Sequence, residues 1–309
     1  MNVLVTGGLG FIGSNFIKHI FDKYDYNIFN IDKLTYAGDR NNISEEIQNS
    51  QRYQWHNYDL HDISFIRRLV QNNNINYIVN FAAESHVDNS IKNADPFIST
   101  NINGTYSLLT LLYDCPSIKR YLQVSTDEVY GSLSEDDDPF TEHSPLQPNS
   151  PYSASKASAD LLCRSFHETF DYPILITRCS NNYGPNQHSE KLIPLMIKNA
   201  KLDMKLPVYG DGKNIRDWIH VSDHCSAIDA ALHKGKVGEV YNIGGNNEMR
   251  NIDIVKTILK LLEKNEDQIE YVEDRLGHDW RYAIDNSKIQ NELNWSPTIN
   301  FEEGLKELM

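Results

Sequence analysis

Two short runs of this sequence carry side chains able to move protons and hydride. In Tyr152-Ser153-Ala154-Ser155-Lys156 a phenol and an ammonium stand at i and i+4. On a helix those positions share one face. A nearby cation favours phenolate, which makes the tyrosine a usable base near neutral pH. Such a base can take a hydroxyl proton while hydride leaves the same carbon, and the lysine can hold a cofactor ribose. An isolated match is more often an ordinary exposed pair, so its weight comes from its surroundings. The second run, Val124-Ser125-Thr126-Asp127-Glu128-Val129-Tyr130-Gly131, follows an apolar stretch. In an open parallel sheet ligands bind at the carboxyl ends of strands. There Thr126 precedes two adjacent carboxyls, Asp127 and Glu128. Plain oxidation or epimerisation needs no second acid–base pair. Loss of water needs one group to remove a carbon-bound proton and another to protonate the departing hydroxyl. Two carboxyls in a closed site are pushed apart in pKa, so that one stays protonated. The bland alternative is a polar strand end with two solvated acids.

A hydride acceptor needs its own site, and the chain begins with one. The run Thr6-Gly7-Gly8-Leu9-Gly10-Phe11-Ile12-Gly13 follows a strand pattern and opens a helical one. Gly7, Gly10 and Gly13 form G-x-x-G-x-x-G, a close variant of the dinucleotide fingerprint. Glycines let the backbone approach a pyrophosphate, and the following helix offers its leading amides. Asp32 ends the second strand pattern, 19 residues after Gly13. An acid there accepts from both ribose hydroxyls and repels a 2′-phosphate, which favours NAD over NADP. Lys33 beside it is a cation that could face a phosphate instead. Asp59 and Leu60 can flank an adenine, and Phe81-Ala82-Ala83-Glu84 can lie along the cofactor, although packing explains each of these equally well.

These groups must be positioned by an α/β scaffold. Strand patterns fall at 2–6, 27–31, 53–58, 77–81, 119–125 and 173–178. Helical patterns alternate with them at 11–23, 62–72, 98–113 and 152–170. That alternation predicts a Rossmann-type, doubly wound parallel sheet. After about residue 178 Pro185, Pro194 and Pro207 loosen the pattern, and further helices are expected at 222–233, 251–263 and 285–293. The division expected is a cofactor-binding domain over 1–178 and a smaller α/β substrate-binding domain over 179–309. Segments 217–221 and 239–243 can return strands to the main sheet. A net charge of −14 repels nucleic-acid phosphates but leaves room for a small anionic substrate. Charged residues at 23%, no signal-like start and no long apolar run predict a cytoplasmic protein. The four cysteines form no CxxC pair, and His86 and His220 lack ligand spacing, so neither disulfides nor a metal is expected.

Over nearly its whole length the sequence resembles the dTDP-glucose 4,6-dehydratases of the extended short-chain dehydrogenase/reductase family. The likeness runs through TGGLGFIGSNF at 6–16, IDKLTYAG at 31–38, NFAAESHVD at 80–88, VSTDEVYG at 124–131 and PYSASKASAD at 151–160. It continues through TRCSNNYGP at 177–185, EKLIP at 190–194, LPVYGDG at 206–212, RDWIHVSDH at 216–224, YNIGG at 241–245 and DRLGHDWRYAID at 274–285. Single motifs mark only the superfamily; TDE together with SNNYGP and DRxGHDxRYAID marks the dehydratases. The resemblance implies that Tyr152 takes the O4 proton as hydride passes from C4 to NAD. Glu128 then removes H5, Asp127 protonates the departing C6 hydroxyl, and hydride returns to C6. It further implies that Thr126 binds the sugar near O4 and that Lys156 assists Tyr152. Gly7, Gly10, Phe11, Ile12, Gly13, Asp32, Lys33, Leu34, Thr35, Asp59, Leu60, Ala82, Ala83, Glu84, Thr100 and Asn182 fall, with Tyr152 and Lys156, on its cofactor positions. Ser85, Asn181, Lys191, Leu192, Pro207, Tyr209, Arg216, Asn251, Asp274, Arg275 and His278 fall, with Thr126, on its nucleotide-sugar positions. Guanidinium forks at Arg216 and Arg275 suit a diphosphate. A homodimer built on the helices near 98–113 and 152–170, and a place in deoxysugar biosynthesis such as that of rhamnose, are also implied. The chain departs from the pattern at Asn89, usually arginine, at Gln187-His188-Ser189, usually Gln-Phe-Pro, and in ending at Met309. These departures bear on the sugar and base more than on the reaction type. A nucleotide-sugar 4-epimerase would use the same glycines, tyrosine and lysine without the acid couple. A non-catalytic NAD sensor would need neither.

Overall fold

A computed structural model of the chain describes residues 1–274 and 276–309. Along these residues run strands β1 (Asn2–Thr6), β2 (Asn27–Ile31), β3 (Tyr53–His56), β4 (Tyr77–Asn80), β5 (Arg120–Thr126) and β6 (Ile174–Cys179). There follow β7 (Asn181–Tyr183), β8 (Leu206–Tyr209), β9 (Ile215–His220), β10 (Val240–Ile243), β11 (Glu248–Arg250) and β12 (Ile269–Val272). The main sheet has the order β10-β6-β5-β4-β1-β2-β3, and every pairing in it is parallel.

Alternation along each strand feeds two apolar layers. Val3 and Val5 pack with Phe16, Ile17 and Ile20 of helix Phe11–Lys23 and with Ile228 and Leu232 of helix Val221–Lys234. Leu4, between them, points the other way, into a layer with Leu69 and Val70 of helix Ile63–Asn72 and Cys163 and Phe166 of helix Pro151–Phe170. Burial on both faces is what apolar parallel strands require. A separate apolar cluster joins Ile193, Met196, Val208, Trp218, Ile254, Ile258 and Phe301 beyond the sheet's edge.

Of the two segments able to return to the sheet, only Val240–Ile243 pairs with it, beside β6. β9 instead lies between β7 and β11 in a second sheet, and β8 pairs with β12. The helix expected over 98–113 is not uniform. It winds as a wide π-type turn over Ile98–Gly104, then as helix Thr105–Leu109, then tightens over Thr110–Tyr113. Asn101 accounts for the widening, because its side chain takes the Glu84 amide (2.8 Å) and donates to Ser155 Oγ (2.8 Å).

Candidate active site

The glycine turn follows β1. Gly7 sits at φ +69°, and a Cβ there would lie 2.7 Å from the Ala82 backbone. At Gly13 a Cβ would lie 2.4 Å from Gly7 O. Helix Phe11–Lys23 starts at Gly10 with no side-chain cap, so its leading amides are left for an anion. At the end of β2, Asp32 accepts the Leu9 amide (2.9 Å) and the Leu34 amide (2.8 Å). Burial raises its pKa, and those two amides oppose the rise. Lys33 pairs with Asp59 Oδ2 at 3.2 Å, so its charge is matched by protein rather than held out for a 2′-phosphate.

β5 delivers the second group. Thr126 Oγ1 accepts the Glu128 amide (3.2 Å), which caps a short turn over Asp127–Tyr130 and fixes both acids. The same hydroxyl donates to Asp127 Oδ1 (3.2 Å). Asp127 is 2% exposed, and its Oδ2 has no protein partner. Burial pushes its pKa well above the ordinary carboxyl range, and the charges of Glu128 and Asp217 push it further.

Helix Pro151–Phe170 begins at Ser150. Ser150 Oγ takes the Ser153 amide (3.1 Å), Ser153 Oγ takes the Ser150 amide (3.0 Å), and Pro151 fills the first helical position. This cap sets Tyr152 in the first turn and Lys156 one turn on, both buried. Lys156 Nζ donates to Val124 O at 2.7 Å. Burial, together with the charges of Glu128, Cys179 and Asp127, raises the Tyr152 pKa well above its usual value. Burial also lowers the Lys156 pKa. Desolvation opposes the attraction expected from the spacing.

Arg178 of β6 ties the two groups together. Its Nε donates to Asp160 Oδ2 (2.9 Å), one turn beyond Lys156, and its guanidinium donates to Tyr130 OH (2.9 Å), at the end of the acid turn. Tyr130 OH in turn donates to Asn242 of β10 (2.8 Å).

Both groups line one cavity of about 320 Å³ at the carboxyl ends of the strands. Gly7, Gly10, Phe11, Ile12, Gly13, Asp32, Lys33, Thr35, Asp59, Leu60, Ala82, Ala83, Glu84, Thr100 and Asn182 line it with Thr126, Asp127, Glu128, Tyr152 and Lys156. Leu34 does not; its side chain is exposed and only its amide serves the site, through Asp32. Of the sugar-nucleotide positions, Ser85, Asn181 and Lys191 line the same cavity. The residues fit a dinucleotide: the turn admits a pyrophosphate, Asp32 suits a ribose, and Ser125 Oγ and Asn181 Oδ1 are buried without protein partners. Among the described residues no cluster of three or more histidines, cysteines or acids could hold a metal.

The remaining sugar-nucleotide positions lie on a separate rim. Pro207 and Tyr209 sit on β8, Leu192 and Asn251 open their helices, and His278 Nδ1 lies 2.6 Å from Asp274 Oδ1. Arg216 is buried; it donates to Ile215 O (2.7 Å) and Asp279 O (2.9 Å) and lies 4.3 Å over the Tyr282 ring. The Tyr282 pKa is raised by burial and then by the charge of Glu128. Arg275 lies outside the described residues.

A sheet of this order, a glycine turn and an acid couple sharing one cavity with Tyr152 agree with what comparison finds. A family model described as GDP-mannose 4,6 dehydratase matches residues 4–308. The chain belongs to that family. The low-salt glycan biosynthesis protein Agl12 of Haloferax volcanii is 51% identical over 99% of this chain and 96% of its own. The dTDP-glucose 4,6-dehydratase of Bacillus anthracis, solved in complex with NAD, is 52% identical with a TM-score of 0.93, covering 100% of this chain and 95% of its own. The Streptomyces venezuelae dTDP-glucose 4,6-dehydratase DesIV, solved with NAD bound, is 44% identical with a TM-score of 0.95, over 100% and 95%.

In this member of the GDP-mannose 4,6 dehydratase family the cavity also takes in residues that the motifs left unassigned. Ser125, Cys179 and Ser180 line it from the ends of β5 and β6, and Gln187, His188 and Glu190 from the loop before helix Leu192–Lys201. The first three sit at strand carboxyl ends, a signal present in the sequence. Gln187 and His188 fall where the chain departs from the family pattern and Glu190 opens the EKLIP run beside it, and only the fold brings the three to the cavity.

Proposed function

We propose that the chain is a dTDP-glucose 4,6-dehydratase with NAD as resident cofactor, converting dTDP-glucose to dTDP-4-keto-6-deoxyglucose and water. One observation carries this reading: the buried Asp127, whose pKa burial pushes well up, and its neighbour Glu128 line the same cavity as Tyr152 and Lys156. NAD, held by the glycine turn and Asp32, supplies a positively charged hydride acceptor and, later, the hydride that returns. Tyr152 takes the proton of the C4 hydroxyl as that carbon is oxidised. Thr126 holds the sugar at O4, and Lys156 fixes β5 against the catalytic helix through Val124 O. The new ketone acidifies the C5 proton, which Glu128 removes. Asp127 gives its proton to the departing C6 hydroxyl, and water leaves. Hydride then adds to C6 and a proton to C5, so the balance is loss of one water.

The outer rim, with Arg216, would take the nucleotide diphosphate. Residues 1–178 with Val240–Ile243 would form the cofactor unit and the remainder of 179–309 the sugar-nucleotide unit. The exposed Tyr106, Tyr113, Leu161 and Phe170 on the two helical segments support a homodimer through that face. Among the described residues no helix is long and apolar enough to cross a membrane. With the charge balance this supports a cytoplasmic enzyme that feeds deoxysugar assembly, rhamnose included. The test is incubation with dTDP-glucose and NAD, followed by NMR. A 4-keto-6-deoxy product is expected. Appearance of dTDP-galactose alone would make the protein a 4-epimerase. Tight NAD binding with no turnover of dTDP, UDP, GDP or CDP sugars would make it a sensor.

A further inference from the structure

Helix Val221–Lys234 follows β9 directly, and β9 runs parallel to β7. This path carries His224 of the helix into the interior, where none of its surface meets solvent. Its Nδ1 lies 2.8 Å from Asn182 Oδ1, and its Nε2 is buried with no hydrogen-bond partner. Burying a histidine half-satisfied is costly, and no step above uses this one.

The surroundings of Asn182 fix the state of the ring. Asn182 Nδ2 donates to Ser180 O at 2.9 Å. A carbonyl only accepts, so the NH2 end of the carboxamide faces Ser180 and Oδ1 faces the histidine. Oδ1 also only accepts, so Nδ1 carries the ring proton. Burial pushes the His224 pKa down to about 3, which keeps that neutral tautomer across the neutral range. The same NH2 lies 3.4 Å from Cys179 Sγ, and Asn182, Cys179 and Ser180 all line the cofactor cavity with Tyr152 and Lys156. With both ends tied, the carboxamide cannot flip.

We infer that His224 is a positioning residue: it locks the Asn182 carboxamide, tied to Ser180 and Cys179 by its NH2, in one orientation at the cavity wall, so that the nicotinamide meets a fixed surface there and seats in one orientation. This rests on the reading of the cavity as an NAD site. It adds a residue from the second half of the chain to the control of hydride transfer.

The test is calorimetric titration of protein freed of bound nucleotide, with NAD and separately with ADP-ribose, which lacks the nicotinamide. Asparagine places a donor nitrogen where histidine Nδ1 stands, and glutamine places one where Nε2 stands. His224→Asn should bind both ligands within about threefold of the parent. His224→Gln and His224→Leu should each lose about tenfold in NAD affinity, the worth of one hydrogen bond, with ADP-ribose binding unchanged. If the leucine variant does not fold, the asparagine–glutamine pair decides. Glutamine and leucine variants that bind NAD as the parent does, or lose both ligands alike, overturn the inference. A parent that binds neither ligand overturns the cofactor reading itself, and the inference with it.

Discussion

Replacing Asp127 by asparagine should make the protein more stable and nearly inactive. The carboxyl is buried, its Oδ2 has no protein partner, and burial with the charges of Glu128 and Asp217 holds it protonated in the folded state. In the unfolded chain the same group ionises at about 3.9. The folded pKa is the higher of the two. Its contribution to stability is therefore fully present below the unfolded pKa and is lost as pH rises toward the folded one. Each pH unit in that window costs the parent about 1.4 kcal/mol relative to a variant with no titrating group. At 2% exposure little of this is screened by solvent. As pH rises above the unfolded pKa the gap between Asp127→Asn and parent should widen, by at most about 1.4 kcal/mol per pH unit, or roughly 2 °C in Tm. An amide has no acid proton to give, so water loss should fall by about 10²–10⁴-fold. Scanning calorimetry between about pH 4 and pH 7, beside the NMR assay, measures both. A gap that stays constant or narrows with rising pH would mean that the folded carboxyl is ionised, and its role as the acid would fall.

Glu128→Gln should still let bound cofactor become reduced, seen by nicotinamide absorbance, while product formation drops by about 10²–10⁴-fold. Tyr152→Phe should abolish the absorbance change itself; normal turnover of either variant removes the assigned role. Gly13→Ala would force a Cβ to within 2.4 Å of Gly7 O and should cost about 1–3 kcal/mol, read by urea unfolding, with weakened NAD binding. Asp229 accepts from Lys23 (2.6 Å), Tyr24 (3.1 Å) and His19 (3.2 Å), joining helices Phe11–Lys23 and Val221–Lys234. Burial pushes its pKa up, yet the hydrogen bonds from His19, His233 and Lys23 hold it well below the carboxylate range. Asp229→Asn should then cost about 2 kcal/mol near neutral pH, below the usual value for a buried pair because Lys23 is half exposed. The depressed pKa places that stability above about pH 4, so the difference from parent should shrink as pH falls further.

Much of the scaffold was legible because local pattern and burial coincide. The glycine turn follows the first strand and opens the first helix, and Asp32 ends the second strand, where the spacing put them. Which sheet a strand joins was not legible. Ile215–His220 reads as a strand and is one, but its partners β7 and β11 are set by chain segments far from it in sequence. The π-type turn at Ile98–Gly104 was hidden for the same reason, since Asn101 answers to Glu84 and Ser155. The upward push of burial on the Tyr152 pKa was not legible either. Spacing reports which side chains share a helix face and says nothing of how dry the site is. His224 carries no motif signal of its own, and only its burial against Asn182 sets it apart.

The guanidinium of Arg178 acts as a spacer bar. It spans from the helix bearing Tyr152 to the turn bearing the acids, and Tyr130 carries the link on to Asn242 of the edge strand β10. The helix bearing Tyr152 and the turn bearing the two acids are thereby held at one separation. Tyrosine, acids and edge strand are thus tied into one frame on the sheet, built from Tyr130, Asp160, Arg178 and Asn242.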